Sequence, residues 1–331
     1  MSGSLTVEAR ARRRRRRTAG WTTLAGLAVL IGAAVTARSW RTELPDPIAT
    51  HWGTDGTANG FSSLNAVVRA MLIGGTMLVL GFGAITFWLG QSAWTRRVGA
   101  AGTIWSALFV STLTLGSLSM QRGLADARDA GGIDGVLLLA ILGSLVPAII
   151  VAAAVAGDPH QPTTEPIDRF APRVDLAAGE RVHWRGVAQS TTAMLVGLAA
   201  VALVIALVAL THLWALLIVV LLLTTLVAVM SSVVVRIDEG GVTIRSSLGW
   251  PRTRIPLDEI VRADVTMVLP MRDFGGWGWR VGRAGRIGVV LRAGEALLVE
   301  RTGDRSVVVT VDNAAVAAGL VNALADNARA A

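Results

Sequence analysis

The sequence predicts an α-helical polytopic membrane protein with six transmembrane helices, followed by a C-terminal cytoplasmic β-rich barrel capped by one helix. Three observations lead to this fold class. Of the 331 residues, 53% are apolar and only 16% are charged, whereas a typical soluble domain is about one quarter charged. The apolar residues gather in six long blocks, and short alternating segments follow the last block.

Each apolar block approaches or exceeds the roughly 20 residues that a helix needs to cross a hydrocarbon core of about 30 Å. None carries an Asp or Glu at its centre. The predicted spans are residues 19–37, 67–90, 98–120, 135–157, 190–210 and 213–235. Only Thr211 and His212 separate the last two spans, so these should form a tight antiparallel hairpin.

The predicted organisation follows from these spans. A basic N-terminus (1–18) precedes a four-helix membrane domain (19–157), whose first loop covers residues 38–66. A linker (158–189) leads to the transmembrane hairpin (190–235), and residues 236–331 form the C-terminal domain.

The arginine distribution predicts the orientation. All 31 basic Lys or Arg side chains are arginines, which with the richness in Ala, Gly and Val indicates the coding bias of a GC-rich bacterium such as an actinobacterium. A cytoplasmic N-terminus places 26 of these arginines inside and five outside, as the positive-inside rule requires. We therefore expect a plasma-membrane protein with both termini in the cytoplasm and the 38–66 loop outside.

The run Arg12 to Arg17 has two further interpretations. Basic runs contact nucleic acid, but this run adjoins a membrane span, so a topology signal is expected and no nucleic-acid partner. A cleavable signal peptide ending at Ala37 is the other alternative, although the apolar stretch is longer than such regions usually are. With or without cleavage, the loop that follows is expected outside.

The loop 44–61 reads LPDPIATHWGTDGTANGF, with prolines that stiffen the chain and glycines that permit tight turns. Its pattern resembles the domain of unknown function 1648 of bacterial membrane proteins, including the SdpI-type toxin-immunity proteins. The resemblance implies a ligand- or partner-recognition loop. Its candidate residues are Pro45, Ile48, His51, Trp52, Gly56, Gly60 and Phe61.

His51 has two interpretations. With Asp46 and Asp55 it could be a metal ligand, but the spacing matches no usual metal motif. The favoured interpretation is a histidine that hydrogen-bonds within the loop, while Trp52 and Phe61 anchor at the membrane interface. No metal and no cofactor are expected.

The C-terminal region alternates like a β protein, with strands predicted at 233–238, 242–247, 252–256, 261–268, 286–292, 296–301 and 305–311. A final amphipathic helix is predicted over 314–329. This order resembles bacterial PH-like domains, and residues 175–184 are similar to the lead-in that such proteins carry. Val182 and Trp184 alternate, so an additional edge strand is expected there.

One segment of this region, the Trp–Arg segment (272–286), interleaves tryptophans with arginines. It is predicted to be a long hairpin loop that either closes the barrel with its tryptophans or faces anionic inner-leaflet lipids or a partner. Both interpretations stay open, and the four arginines that flank the tryptophans favour the membrane-facing one. The candidate residues are Arg272, Phe274, Gly276, Trp277, Trp279, Arg280 and Arg283.

No catalytic constellation is present in the sequence. The absence of cysteine excludes disulfides and thiolate chemistry, and the spans lack the ionisable groups that a coupled transporter usually needs. The sequence thus predicts a non-enzymatic membrane protein that binds an unknown protein or peptide, in the manner of toxin immunity or signal regulation. The alternative is a scaffold that recruits a cytoplasmic partner through the C-terminal domain.

Overall fold

The structure, a computed structural model, describes residues 2–53, 55–176, 180, 182–212, 214–282 and 286–330. The chain divides into two compact units. The first, called the helical unit, comprises Glu8–Gly157 and Leu203–Val220. The second, called the β unit, comprises Met1–Val7, Asp158–Ala202 and Leu221–Ala331.

The helical unit is built on helices α1 (Ser2–Ser39), α2 (Leu64–Leu89), α3 (Ala93–Ser119) and α4 (Asp134–Ala154). Small residues set how closely these helices approach. A Cβ atom at Gly75 of α2 would lie 2.6 Å from the Leu30 side chain of α1, and one at Gly83 would lie 2.4 Å from Thr23. Glycine at such contacts is characteristic of helix packing in membranes.

Five helices are long and apolar enough to cross a membrane, within the part of the chain that the structure describes. They are Arg12–Ser39, Leu64–Leu89, Ala93–Ser119, Asp134–Ala154 and Thr191–Thr211. The protein is therefore a helical membrane protein with several apolar helices.

The sixth predicted span, 213–235, differs from the prediction. Helix α6 covers only Leu217–Ser231, which is 15 residues and about 22 Å long. Residues from Ser232 onward form a strand instead. The three valines at 233–235 favour strand geometry, and pairing with a neighbouring strand fixes them there.

Helices α5 (Thr191–Thr211) and α6 form the predicted antiparallel hairpin. At its base, within the β unit, the Ser190 N–H donates to the Ser231 carbonyl at 3.0 Å. Farther along, a Cβ atom at Gly197 would lie 2.3 Å from the Val227 side chain. The hairpin therefore begins and ends at neighbouring residues, Ser190 and Ser231.

The strands of the β unit form two sheets rather than the predicted closed barrel; no closed barrel is seen among the described residues. A four-stranded antiparallel sheet has the order β3-β4-β5-β6 and a five-stranded sheet has the order β7-β10-β11-β9-β8. The bounds are β3 Trp184–Gln189, β4 Ser232–Asp238, β5 Gly241–Ser246, β6 Arg252–Ile255, β7 Ile260–Val268, β8 Gly278–Val281, β9 Ile287–Val290, β10 Gly294–Arg301 and β11 Arg305–Thr310. Strands β9 and β11 are parallel, so a simple hairpin succession cannot describe this sheet.

Helix α8 (Ala314–Ala330) supplies much of the core of the β unit, with Val321 and Leu324 packed against the inner faces of the strands. Neighbouring residues of one strand alternate between two clusters: Val289 lies in this core and Val290 lies in a smaller cluster around Phe274. The five-stranded sheet is therefore covered on both faces at this end.

The linker before α5 is part of the β unit. Buried Asn322 of α8 donates from Nδ2 to the carbonyls of Pro172 and Ala263, both at 2.8 Å, and its Oδ1 accepts from the Ala263 N–H at 2.8 Å. One side chain thus joins the linker, β7 and α8. Arg173 and Asp326 form a further ion pair at 2.9 Å between the linker and α8.

Candidate functional site

Two loops at the same end of the helical unit pack together, and we call them the cap. They are residues 40–63, between α1 and α2, and residues 120–133, between α3 and α4. The sequence predicted the first loop as a recognition site and gave the second no role. The contacts below join the two loops.

The first loop folds as a hairpin of strands β1 (Ile48–Trp52) and β2 (Ala58–Ser62). Gly56 has φ +77°, a left-handed conformation that glycine adopts without strain. The Asp55 carboxylate accepts from the Thr57 hydroxyl and N–H at 2.7 and 3.0 Å. These hydrogen bonds, the hydroxyl first, hold the pKa of Asp55 below its ordinary value.

His51 is bound within this hairpin. Its Nδ1 lies 2.5 Å from Asn59 Oδ1, and an amide oxygen can only accept, so the ring donates from Nδ1. A Cβ atom at Gly60 would lie 2.8 Å from His51 Cβ, so glycine is needed opposite the histidine. No group of three His, Cys, Asp or Glu side chains is placed to hold a metal ion among the residues that the structure describes.

Gln121, at the start of the second loop, binds the free edge of β1. Its Oε1 accepts from the Ala49 N–H at 2.7 Å, and its Nε2 donates to the Ala49 carbonyl at 3.0 Å. Nε2 also donates to the Ser117 carbonyl at 2.9 Å, which fixes the side chain to α3. Gln121 is fully buried, so every one of these bonds is shielded from water.

An ion pair joins the loops on another side. Arg122 Nη2 lies 2.6 Å from Glu43 Oε2, and the guanidinium also lies over the Trp40 ring at 4.7 Å. The Gly123 N–H donates to the Glu43 carbonyl at 2.7 Å. Backbone and side chain of Glu43 are thus both held by the second loop.

The interior of the cap is a small apolar cluster. Ala49 of the hairpin and Ala127 and Ala130 of the second loop are buried together, and Trp52 and Phe61 pack against them. The two aromatic rings, expected at the membrane interface, therefore join the two loops.

A cavity of about 280 Å³ opens between the loops. Its wall combines two carboxylates, one guanidinium, two prolines and an aromatic ring. The lining residues are Pro45, Asp46, Pro47, Phe61, Ala125, Asp126, Ala127 and Arg128.

Two of the charged side chains of the cavity, Asp126 and Arg128, are hydrogen-bonded to each other. Asp126 accepts from the Arg128 N–H at 2.9 Å and from its guanidinium at 3.2 Å. The backbone N–H, with a smaller contribution from the guanidinium, holds the pKa of Asp126 below its ordinary value. The Arg128 guanidinium also lies over the Phe61 ring at 5.4 Å. The wall thus holds two acidic side chains and one basic side chain.

Residues 27–74 match the family model described as Domain of unknown function (DUF1648). The match covers the last third of α1, the hairpin and the beginning of α2, and it ends before the second loop of the cap. No curated protein and no solved structure matches the chain.

The DUF1648 segment contains all seven candidate residues of the predicted recognition loop. Pro45 and Phe61 line the cavity, and His51, Gly56 and Gly60 set the hairpin geometry. Ile48 faces the helices, buried with Ala33 and Val68. The residues that sequence reasoning missed, Gln121, Asp126 and Arg128 among them, lie outside the segment. The sequence feature that could have indicated them is the polar pair Gln121-Arg122, which directly follows an apolar stretch.

The second predicted site, the Trp–Arg segment, is divided between core and surface. Trp279 is 9% exposed and lies in the core, and Phe274 is buried at the end of the short helix α7 (Pro270–Phe274). Trp277 is half-buried, and its carbonyl accepts from exposed Arg280 at 2.8 Å.

The other candidates of this segment have separate positions. Gly276 has φ +141°, and Arg272 pairs with Asp273 at 3.2 Å. Arg283 lies outside the described residues. The predicted long loop is thus a short helix and the strand β8.

A buried ionic cluster lies elsewhere in the β unit. The Glu259 carboxylate forms ion pairs with Arg301 and Arg305. It also accepts a hydrogen bond from the Gln161 N–H, and its Oε1 is 3.1 Å from His160 Nδ1. Burial alone would raise the pKa of Glu259, but the hydrogen bonds from Arg301 and Gln161 and the two guanidinium charges hold it below its ordinary value. The cluster fastens the linker to the sheet, which is a structural role.

Proposed function

We propose that the protein is a non-enzymatic receptor of the bacterial plasma membrane that binds a secreted peptide at the cap. The cavity between the two loops is the observation that carries this proposal. A site that binds a ligand needs a concave surface with apolar walls and a few ordered polar groups. The cavity offers Phe61 and two prolines as walls, with Asp46, Asp126 and Arg128 as the polar groups.

The excess negative charge of the cavity favours a cationic ligand. Arg128 is already paired with Asp126, so the Asp46 carboxylate is the second acidic group of the wall. A lysine or arginine side chain of a peptide would complement it, while an apolar residue would lie on Phe61. Secreted antimicrobial peptides combine these two features.

For this function the cap lies outside the cell. We propose six crossings, with α6 and the preceding 3-10 turn Trp214–Leu216 completing the last one, and both termini in the cytoplasm. The arginine distribution supports this orientation. The return of the chain at Ser190 and Ser231 supports it too, because it requires the linker and the C-terminal strands to share one side.

Toxin immunity or the regulation of a toxin response is the specific form that we propose, by the resemblance to SdpI-type proteins. The resemblance of the β unit to PH-like domains stays a prediction. As a test, the full chain is expressed in a sensitive bacterium, which is then challenged with a panel of secreted cationic peptides. We expect survival against at least one peptide, and loss of that survival in the Asp46→Asn, Asp126→Asn double variant.

A matched control is available in the same loop. Asp129 is exposed in the same short 3-10 helix as Arg128 but does not line the cavity. Asp129→Asn should therefore protect as the parent chain does. Protection by no chain, or equal protection by the double variant at equal membrane abundance, would refute the proposed binding site.

A further inference from the structure

A second apolar surface lies on the β unit, near the point where helix α6 joins strand β4. It consists of four exposed side chains, Leu248 (63%), Trp250 (68%), Leu269 (51%) and Met271 (63%). Single exposed apolar residues are normal, but several at one end of a domain mark an interaction surface. We call these four residues the apolar rim.

The first two rim residues lie on the turn between β5 and β6, directly beside the end of α6. The Ser247 N–H donates to the Ser232 carbonyl at 3.1 Å, and the two serine hydroxyls are 2.7 Å apart. Ser232 is the residue that follows the last residue of α6. Leu248 and Trp250 therefore lie close in space to the end of the apolar helix α6.

This turn is braced by its own hydrogen bonds. Gly249 donates to the Ser246 carbonyl at 2.8 Å and has φ +90°, a conformation that glycine tolerates. The Ser246 N–H in turn donates to the Pro251 carbonyl at 3.0 Å. Leu248 and Trp250 are thus presented on either side of a fixed glycine.

The other two rim residues lie at the same end of the β unit. Leu269 and Met271 flank Pro270, whose carbonyl accepts from the Gly276 N–H at 3.0 Å. Two residues farther on, a Cβ atom at Gly278 would lie 3.1 Å from the sulfur of Met230 in α6. The segment that follows this second turn therefore adjoins the last turn of α6, as the first turn does.

We propose that the apolar rim inserts into the membrane leaflet from which α5 and α6 emerge, so that the β unit rests on lipid. Continuity with the hairpin is the first reason: α5 is apolar, exposed and long enough to cross a membrane, and the rim adjoins the base of this hairpin. Composition is the second, because tryptophan is favoured at the membrane interface.

Charge is the third reason. Arg252 follows the first turn and is exposed, and the Arg272 side chain, beside Met271, is 78% exposed. Arginines at this depth attract anionic headgroups. The acidic neighbour Asp273 pairs with Arg272 at 3.2 Å and also accepts from the Leu269 N–H at 2.8 Å, so Arg252 is the main charge behind this reason.

The proposal is tested with the full chain in lipid nanodiscs that each hold one copy. Because the sequence has no cysteine, a fluorophore can be attached at a single introduced one: Leu248→Cys, Met271→Cys or the control Glu239→Cys. Glu239 is exposed on the turn at the opposite end of β4. Fluorescence is then quenched either by spin-labelled acyl chains or by iodide in the water.

We expect acyl-chain quenching at residues 248 and 271 to exceed that at residue 239 by about threefold or more, as for interfacial anchors, with iodide giving the opposite order. Equal iodide quenching at all three positions would place the rim in water and overturn the proposal. Protection from both quenchers would show a protein contact and would also overturn it. Both rim positions are exposed, so each variant reports on the same surface. If one variant fails to assemble, the other still tests the proposal.

Discussion

Gln121 bonds to both backbone polar groups of Ala49 through one side-chain amide, across a separation of 72 residues. The amide acts as a short third strand on the free edge of the hairpin, which would otherwise expose unpaired groups. Gln121 lies outside residues 27–74, so a residue of the second loop of the cap pairs the free edge of the hairpin in the DUF1648 segment.

Replacing Gln121 by methionine should loosen the cap. The variant keeps the side-chain volume but leaves two buried backbone groups of Ala49 unpaired, at about 1–3 kcal/mol for each group. Thermal unfolding of the full chain in detergent should therefore begin at a lower temperature. The control is Gln91→Met, in the half-buried turn between α2 and α3, which should change stability by only about 0.5 kcal/mol. Equal midpoints for the two variants would contradict this role of Gln121.

Gly60→Ala should destabilise the hairpin, because the added Cβ would lie 2.8 Å from His51 Cβ. Overpacking of this kind costs about 1–3 kcal/mol. Gly131→Ala in the second loop is the matched control, since a Cβ there meets nothing within 4 Å. Unfolding midpoints of the two variants measure the difference. A loss of stability in Gly131→Ala but not in Gly60→Ala would contradict the close contact between Gly60 and His51.

The stability of the β unit should depend on pH through Glu259. Its pKa is lower in the folded state than its ordinary value, so the contribution is present at neutral pH. It is lost as the pH falls from about 4.3 through the folded pKa. Glu259→Gln, which leaves two buried arginines without their counter-charge, should cost about 3–5 kcal/mol at pH 7.

Unfolding midpoints of parent and variant between neutral and acidic pH test this dependence. Glu259→Gln should show a smaller loss of stability in acid than the parent, because the titrating group has been removed. Glu300→Gln, exposed on β10, serves as the control with a parent-like response. Identical acid dependence in Glu259→Gln and parent would exclude Glu259 as the source.

The orientation can be measured directly in a chain without cysteine. Thr42→Cys in the cap should react with a membrane-impermeant maleimide in intact cells, and Thr164→Cys in the linker should react only after lysis. Both residues are exposed, so poor access cannot explain a missing label. Labelling of Thr164→Cys alone in intact cells would reverse the proposed topology.

The β unit should become soluble when residues 190–231 are replaced by a two-residue turn. Gln189 and Ser232 are partners in the antiparallel pair of β3 and β4, and an Asn-Gly turn closes such a pair. We expect residues 158–189 joined in this way to 232–331 to give a folded β protein by circular dichroism. Residues 233–331 alone lack β3 and the linker contacts of Asn322, and should be less stable in urea. Equal stability of the two would show that the linker contributes nothing.

Much of the fold was predictable because its signals are local. The apolar run 67–90 gave α2 within three residues of its observed bounds, Leu64–Leu89, because hydrocarbon thickness alone sets the length of such a run. Alternation likewise located β7 and β11 within one residue. These elements need no knowledge of their neighbours.

The parts that could not be predicted depend on distant partners. Val233 to Val235 suit either the end of an apolar helix or a strand, and pairing with β3 decides for the strand. Strand β8 begins at a glycine, so alternation could not reveal it. Trp279 and Trp277 stand in the same sequence pattern, yet only Trp279 is in the core, because β8 begins at Gly278 and Trp277 lies before the strand. The role of the second loop of the cap was missed for the same reason. The residues around Gln121 in the sequence give no indication that its side chain binds Ala49.

The closeness of Ser190 and Ser231, where the hairpin of α5 and α6 begins and ends, has a consequence for biosynthesis. Strand β3 is made before the hairpin, and its partner β4 only after it. While the ribosome translates α5 and α6, β3 therefore has no partner of its own sheet to pair with. On the proposed topology, the sheet β3-β4-β5-β6 can form only after both helices have been synthesised, so we expect insertion of the hairpin to precede closure of this sheet. A chain whose hairpin failed to insert would carry an apolar segment between β3 and β4, and would present an unfinished sheet to cellular quality control.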